Sequence, residues 1–341
     1  MKTQAFLLKQ KGNPEQAFQL SEIELPALKG NEVLIETEAF GLNYADVMAR
    51  RGLYRETPPF PCVIGYEVVG KIVEIGTTVD TSFLEKRVVA FTRFGGYSKH
   101  AITSVDAISE IGGIPVNDAL ALATQGVTAY YMANYVSPIR QGENVLIHAA
   151  AGGVGSLLIQ LAKQAGATVF AKVSSIEKEQ KSMSLGADYA INYRTKNYAD
   201  AIEKIIGKNQ LDASFNPVGG STFKTDKQLL GSGSRIILFG GSQLSEGKWG
   251  IFSQLNFLRK MGVFIPAFLM MQSKSMIGVN MLKIADSKPD VLKFCMSEII
   301  KLYQSGKITT ENGGEFSFKD INQAHLLLES GKSMGKISVH W

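Results

Sequence analysis

The run Val145-Leu146-Ile147-His148-Ala149-Ala150-Ala151-Gly152-Gly153-Val154-Gly155 carries an apolar, β-type segment straight into a turn of small residues. Ala150, Gly152 and Gly155 occupy the three fixed positions of G-x-G-x-x-G, with alanine in the first. Small residues there let the chain turn tightly and let its backbone approach a pyrophosphate. The amides of Ala151, Gly152, Gly153 and Val154 would open a helix, where unpaired N–H groups and the helix dipole favour an anion. Beyond the turn, Val154, Leu157, Leu158, Leu161, Ala162 and Ala165 recur at helical spacing, and Gly166 supplies the stop. The stretch predicts a strand, turn and helix that bind a dinucleotide.

Downstream the periodicity alternates. Residues 168–173, 189–191, 211–215 and 235–239 read as strands, and 176–185 and 199–206 as helices. That order predicts an α/β fold, a Rossmann-type doubly wound parallel sheet. Ligands bind at the carboxyl ends of such strands. This makes Val218, in Asn216-Pro217-Val218-Gly219, and Phe239 and Gly240, at the end of the fifth strand, candidate cofactor contacts. About 20 residues past the last glycine, an NAD-binding unit places Asp or Glu on the ribose hydroxyls. Here the strand tip reads Lys172-Val173-Ser174-Ser175, followed by Lys178, while Glu177 is expected on the solvent side of the next helix. Ser174, Ser175 and Lys178 suit a 2′-phosphate, so the cofactor expected is NADPH.

Composition is compatible with this reading. A chain of 341 residues with 45% hydrophobic content has room for two cores, and a net charge of +5 suits anionic cofactors. No run of lysine or arginine interleaved with aromatics points to nucleic acid. Cys62 and Cys295 lie far apart, which argues for a reducing compartment, and a cytoplasmic location is expected. Met1 to Gln10 holds only a short apolar run, too brief for a signal segment, and no stretch is long enough to span a membrane. The rest of the chain is read as β-rich over 33–38, 63–75, 87–91 and 100–107, and again over 313–318 and 336–340 around a helix at 321–328. The expected organisation is a discontinuous catalytic domain, 1–124 plus 283–341, with a dinucleotide-binding domain, 125–282, inserted.

Gly41-Leu42-Asn43-Tyr44-Ala45-Asp46, Gly52-Leu53-Tyr54, Gly65-Tyr66-Glu67-Val68-Val69-Gly70, Gly95-Gly96-Tyr97 and Thr124-Gln125-Gly126-Val127-Thr128-Ala129-Tyr130 stand in that order, and the chain closes on Gly335-Lys336-Ile337. Together with the glycine turn, these motifs resemble the medium-chain dehydrogenase/reductases, and within them the zinc-free quinone oxidoreductase branch. The resemblance implies that the β-rich domain is GroES-like. It implies that Asn43 lies beside the nicotinamide and substrate, its amide donating to a developing oxyanion, and that Tyr54 is a proton donor. Thr128 would open the linking helix near the nicotinamide phosphate, Tyr193 would lie over the adenosine end, and Lys336 would reach the cofactor. Asp46 and Glu67 are expected to hold the fold by hydrogen bonds. In zinc-dependent relatives a cysteine and a histidine stand where this chain has Asn43 and Tyr66, and the four histidines, His100, His148, His325 and His340, have no ligand spacing, so no metal is expected. His148 is read as a satisfied core residue.

Without a Lewis acid, an acceptor that spreads charge over a conjugated system is favoured over a simple ketone. The expected reaction is hydride transfer from NADPH to a quinone or other conjugated carbonyl. The alternatives are an enoyl or alkenal double-bond reductase, or a cofactor-binding protein of the membrane surface with little catalysis. Residues 243–281 bear on the choice. They include Trp249, Phe252, Phe257, Phe264 and Phe268 with five methionines, a pattern that fits core, dimer interface, substrate lid or membrane contact. Within them, 275–281 reads as an edge strand, and the family pairs that strand across a dimer, so a homodimer is expected.

Overall fold

Apolar residues at alternate positions, with turn residues between them, build the first unit of the chain. The computed structural model describes residues 1–246, 256–257, 259–262 and 266–341, and divides the chain into Met1–Val127 with Met281–Trp341, and Thr128–Asn280. The first unit contains β1 (Lys2–Leu8), β2 (Phe18–Glu24), β3 (Glu32–Leu42), β4 (Cys62–Val63), β5 (Glu67–Ile75), β6 (Arg87–Phe91), β7 (His100–Ser104) and β8 (Ile108–Glu110). The second contains β9 (Asn144–His148), β10 (Thr168–Val173), β11 (Tyr189–Asn192), β12 (Leu211–Asn216), β13 (Leu230–Leu238) and β14 (Ser275–Gly278). Strands β15 (Asn312–Ser317) and β16 (Lys336–His340) return to the first unit.

In the first unit β2-β1-β4 form a small sheet, and a larger one runs β15-β16-β3-β5-β6-β8, with β7 also pairing with β3. Strand β3 decides what the site becomes, because it lies between β16 and β5. Leu42 faces Ile337 across one edge, and Phe40 faces Val68 across the other. Val33, Ile35, Phe40 and Leu42 on β3 join Val68, Ile72, Val88, Ala90, Ile337 and Val339 in one buried core. The expected strand over 63–75 is interrupted, since Ile64, Gly65 and Tyr66 leave the ladder before β5 begins.

In the second unit the strands run β11-β10-β9-β12-β13-β14, all parallel, in the order expected of a doubly wound sheet. The helix Gly153–Gln164 buries Leu157, Leu158, Leu161 and Ala162, and the chain leaves it through Gly166 at φ +79°. Strand β13 starts earlier than expected, at Leu230 rather than 235, as its ladder with β12 begins at Leu211. The unit boundaries also shift from 124/125 and 282/283. The first unit ends at Val127 and resumes at Met281. The expected strand over 275–281 stops at Gly278, and Met281 and Leu282 are buried at the start of the helix Met281–Ser287. Trp249, Phe252 and Phe264 lie outside the described residues, whereas Met261 and Met276 pack against the core of the second unit. Among the described residues, no helix is long and apolar enough to cross a membrane.

Candidate functional site

In the first unit the three adjacent strands bring a charged group into the core. Lys336, first residue of β16, and Glu67, first residue of β5, meet over Gly41 of β3, where a Cβ would collide with both side chains. Both are fully buried. The Lys336 ammonium donates to Glu67 Oε1, to the Leu42 carbonyl (3.2 Å) and to Asn43 Oδ1 (3.3 Å). Asn43 Nδ2 donates to both Glu67 oxygens, at 2.9 and 2.8 Å, and the Thr124 hydroxyl donates to Oε2. Glu67 therefore accepts from an ammonium, an amide and a hydroxyl, the pairing that a buried charge requires.

The two Glu67 oxygens share one Asn43 amide hydrogen, which fixes the direction of that amide. The Lys336 ammonium is the cation of a buried pair. Asn43 also precedes the helix Tyr44–Arg50, where Asp46 Oδ2 accepts its backbone N–H at 2.7 Å. Asp46 is fully buried and its Oδ1 has no partner. Burial, and the charge of Glu67, push its carboxyl up to about 8, so it carries a proton at neutral pH.

Tyr54 is half-buried, and its ring meets that of Tyr66 edge-on at 6.3 Å. Burial first, then the charges of Glu56 and Asp46, push the Tyr54 phenol up to about 12. Behind them, the Tyr97 hydroxyl and His325 Nε2 are 3.1 Å apart. Burial, with the charge of Arg50 adding, pushes the His325 imidazole down to about 3 from 6.5. The unfolded chain therefore binds a proton that the folded chain refuses, and stability falls as pH drops from 6.5 towards 3, by up to about 1.4 kcal/mol per pH unit. Denaturation midpoints measured across this window should fall less steeply in His325→Gln than in the wild type.

In the second unit the turn is shaped for close approach. Ala149 takes φ +50°, and the helix beginning at Gly153 has no side-chain cap, which leaves its first amides to an incoming group. Asn216, ending β12, accepts the N–H groups of Val218 (2.8 Å) and Gly219 (2.9 Å) and so fixes that loop. At Gly240, a Cβ would stand 2.7 Å from the Pro217 carbonyl oxygen, close to the end of β13 beyond Phe239. Thr128 is buried within a helical run that starts at Val116, rather than at its beginning.

Past β10, Ser174 and Ser175 are half-buried, and Ser175 Oγ caps the helix Ile176–Ser184 by accepting the Lys178 N–H at 3.4 Å. The Lys178 ammonium is lowered by burial and by the neighbouring charge of Arg194. Glu177 is exposed. Two cations thus gather at the strand tip, and Arg194 was missed in the sequence although it directly follows Tyr193. Tyr193 is 47% exposed and lies over the ammonium of Lys172 at 4.9 Å, with Tyr198 on the same ammonium at 4.2 Å.

Lys172 Nζ also reaches His148 Nδ1 (3.3 Å), and His148 Nε2 reaches Asp226 Oδ2 (2.8 Å). An ammonium only donates and a carboxylate only accepts, which makes His148 neutral with its proton on Nε2. Burial lowers the imidazole, outweighing the pull of Asp226. Asp226 also accepts from Ser214 (2.7 Å), Asn216 (2.7 Å) and Tyr198 (2.8 Å), and despite burial these bonds and His148 hold its carboxyl below the usual range. His148 is a fully bonded interior residue that ties the ends of β9 and β10 to Asp226 on the helix Ser221–Leu229.

Two family profiles match the chain: "Alcohol dehydrogenase GroES-like domain" over residues 29–137 and "Zinc-binding dehydrogenase" over residues 153–297. The "Synaptic vesicle membrane protein VAT-1 homolog" of Danio rerio is 30% identical over 92% of this chain and 64% of its own length. The "Probable quinone oxidoreductase" of Schizosaccharomyces pombe is 34% identical over 68% of this chain and 70% of its own. Among solved structures, Escherichia coli quinone oxidoreductase complexed with NADPH superposes with a TM-score of 0.86 at 26% identity, covering 99% of this chain and 100% of that one. The chain spans less than two thirds of the Danio rerio relative.

Proposed function

The chain belongs to the medium-chain dehydrogenase/reductase family, in its quinone oxidoreductase branch, and from that premise we propose that it transfers hydride from NADPH to a quinone or another conjugated carbonyl without zinc. The observation that carries the cofactor assignment is the end of β10. Ser174, Ser175, Lys178 and Arg194 gather there, and the acid Glu177, exposed on the following helix, accepts a hydrogen bond from Ser175. The amides of Ala151, Gly153 and Val154 would hold the pyrophosphate, with Gly152, whose N–H is bonded to the Ala149 carbonyl at 2.8 Å, allowing the close approach. Tyr193 would hold the adenosine end, and Val218, Phe239 and Gly240 the strand-end side. Thr128, Asn43 and Lys336 belong to the nicotinamide side of the proposal. The bound cofactor supplies the hydride.

The donor set supports chemistry without a metal. Asn43 turns the amide nitrogen, which has no free lone pair, towards Glu67, and Lys336 adds a cation to the same carboxylate. No thiolate or imidazole stands in for them, so these residues do not fit zinc. A conjugated acceptor needs only hydrogen bonds to its oxygen as charge develops.

The test is oxidation of NADPH and of NADH with a small quinone and an enone in parallel, under anaerobic conditions and after metal chelation. NADPH-selective turnover that survives the chelator is expected, and the preferred acceptor separates quinone from double-bond reduction. Lys178→Ala should raise the KM for NADPH about tenfold, equivalent to about 1.4 kcal/mol, while leaving that for NADH within about twofold. Equal effects on both cofactors would remove the 2′-phosphate role. The same reading takes the protein as a cytoplasmic homodimer paired along the edge of β14, and the buried, unpaired Cys62 and Cys295 support a reducing compartment. The membrane-surface alternative draws on Phe268, Met270 and Met271, exposed on the helix Pro266–Gln272, and flotation with liposomes tests it.

A further inference from the structure

One Asn43 amide hydrogen is shared between the two Glu67 oxygens, and a second donor to a substrate oxygen in the first unit is offered by a buried hydroxyl there. Tyr66 is 3% exposed, and its Oη has no partner at hydrogen-bond geometry, its polar neighbour being the Tyr54 hydroxyl. A buried hydroxyl left unpaired is costly, whereas phenylalanine would fill the same space without that cost. We infer that Tyr66 is a catalytic residue whose hydroxyl donates to the carbonyl oxygen of the conjugated acceptor, an inference that rests on the reductase reading above.

Three features fit the role. The backbone around Tyr66 is pinned where the strand breaks, since its carbonyl accepts the Thr92 N–H at 2.7 Å and the Gly65 carbonyl accepts the Thr92 hydroxyl at 3.0 Å. Gly65 itself sits at φ +105° with the Tyr97 nitrogen 2.9 Å from where a Cβ would be, so the turn that presents Tyr66 is rigid and admits no side chain. The ring is held by packing against Tyr54 at 6.3 Å and Phe94 at 5.5 Å.

In the reaction, hydride adds its two electrons to the conjugated carbon and the π pair moves to the oxygen. Tyr66 holds that oxyanion by hydrogen bonding, keeping its own proton. A proton from solvent completes the reduced product, and the nicotinamide donor is oxidised by the same two electrons.

The experiment compares wild type and Tyr66→Phe in steady-state kinetics at saturating NADPH, alongside their melting temperatures. The expected result is a fall in kcat of about 100-fold. The KM for NADPH should be unchanged, and the melting temperature equal or higher, because no bond within the protein is lost. A kcat within twofold of wild type overturns the inference and leaves the reductase reading standing. A melting temperature lowered by several degrees also overturns it, because the hydroxyl would then have a partner in the fold. Absence of turnover by the wild type with every quinone and enone overturns the reductase reading, and the inference falls with it.

Discussion

Replacing Lys336 with methionine is expected to cost about 3–5 kcal/mol, because it leaves the Glu67 carboxylate charged and buried without its cation. The remaining donors, Asn43 Nδ2 and the Thr124 hydroxyl, are neutral and do not replace the lost charge. Urea unfolding checks this, read by fluorescence to which Trp341 contributes, since its ring stacks on Phe318 at 5.3 Å within the same unit. Adding Glu67→Gln to Lys336→Met removes the stranded charge and should recover more than half of the loss. If the double variant is no more stable than Lys336→Met, the buried charge is not the source of the cost.

The second large effect is expected at Gly155. A Cβ there would stand 2.7 Å from Ala150 Cα and 2.8 Å from the Ala150 oxygen, and would also press on the Ala149 oxygen. All three are backbone atoms, so the turn itself must move. Gly155→Ala should therefore lose about 1–3 kcal/mol of stability, the usual range for overpacking. It should also weaken NADPH binding at least tenfold, or about 1.4 kcal/mol, if the displaced turn carries the amides proposed to hold the pyrophosphate. Calorimetric titration with NADPH measures the second effect. Gly113→Ala is the control, as its Cβ would meet nothing within 4 Å.

The parts of the fold legible in the sequence are those governed by neighbours in the chain. The helix after the glycine turn runs Gly153–Gln164 and leaves through Gly166, as the spacing of its leucines and the position of that glycine indicate. The parallel strands fall within a few residues of their expected bounds for the same reason. The break at Ile64-Gly65-Tyr66 is hidden because apolar residues continue through it, and it shows only in the positive φ of Gly65 and in the pairing of Cys62–Val63 with β1 of the other sheet. The charge pair could not be read at all, since Lys336 and Glu67 lie 269 residues apart and meet only because β3 separates their strands. Asn43 was singled out by its motif, but the direction of its amide depends on that distant pair. In the sequence Lys172 is only part of a strand tip, because its contacts with Tyr193, Tyr198 and His148 come from other parts of the chain.

Strand β16 sets an order of events during synthesis. Residues 128–280 are contiguous and leave the ribosome as a block that has all the strands of its own sheet. The first unit cannot close so early. Its long central strand β3 lacks one neighbour, and Glu67 lacks its counter-charge, until the last few residues of this sequence have been translated. A stalled or truncated nascent chain ending before Lys336 would expose an open sheet margin beside an uncompensated carboxylate, the kind of surface that quality-control factors bind.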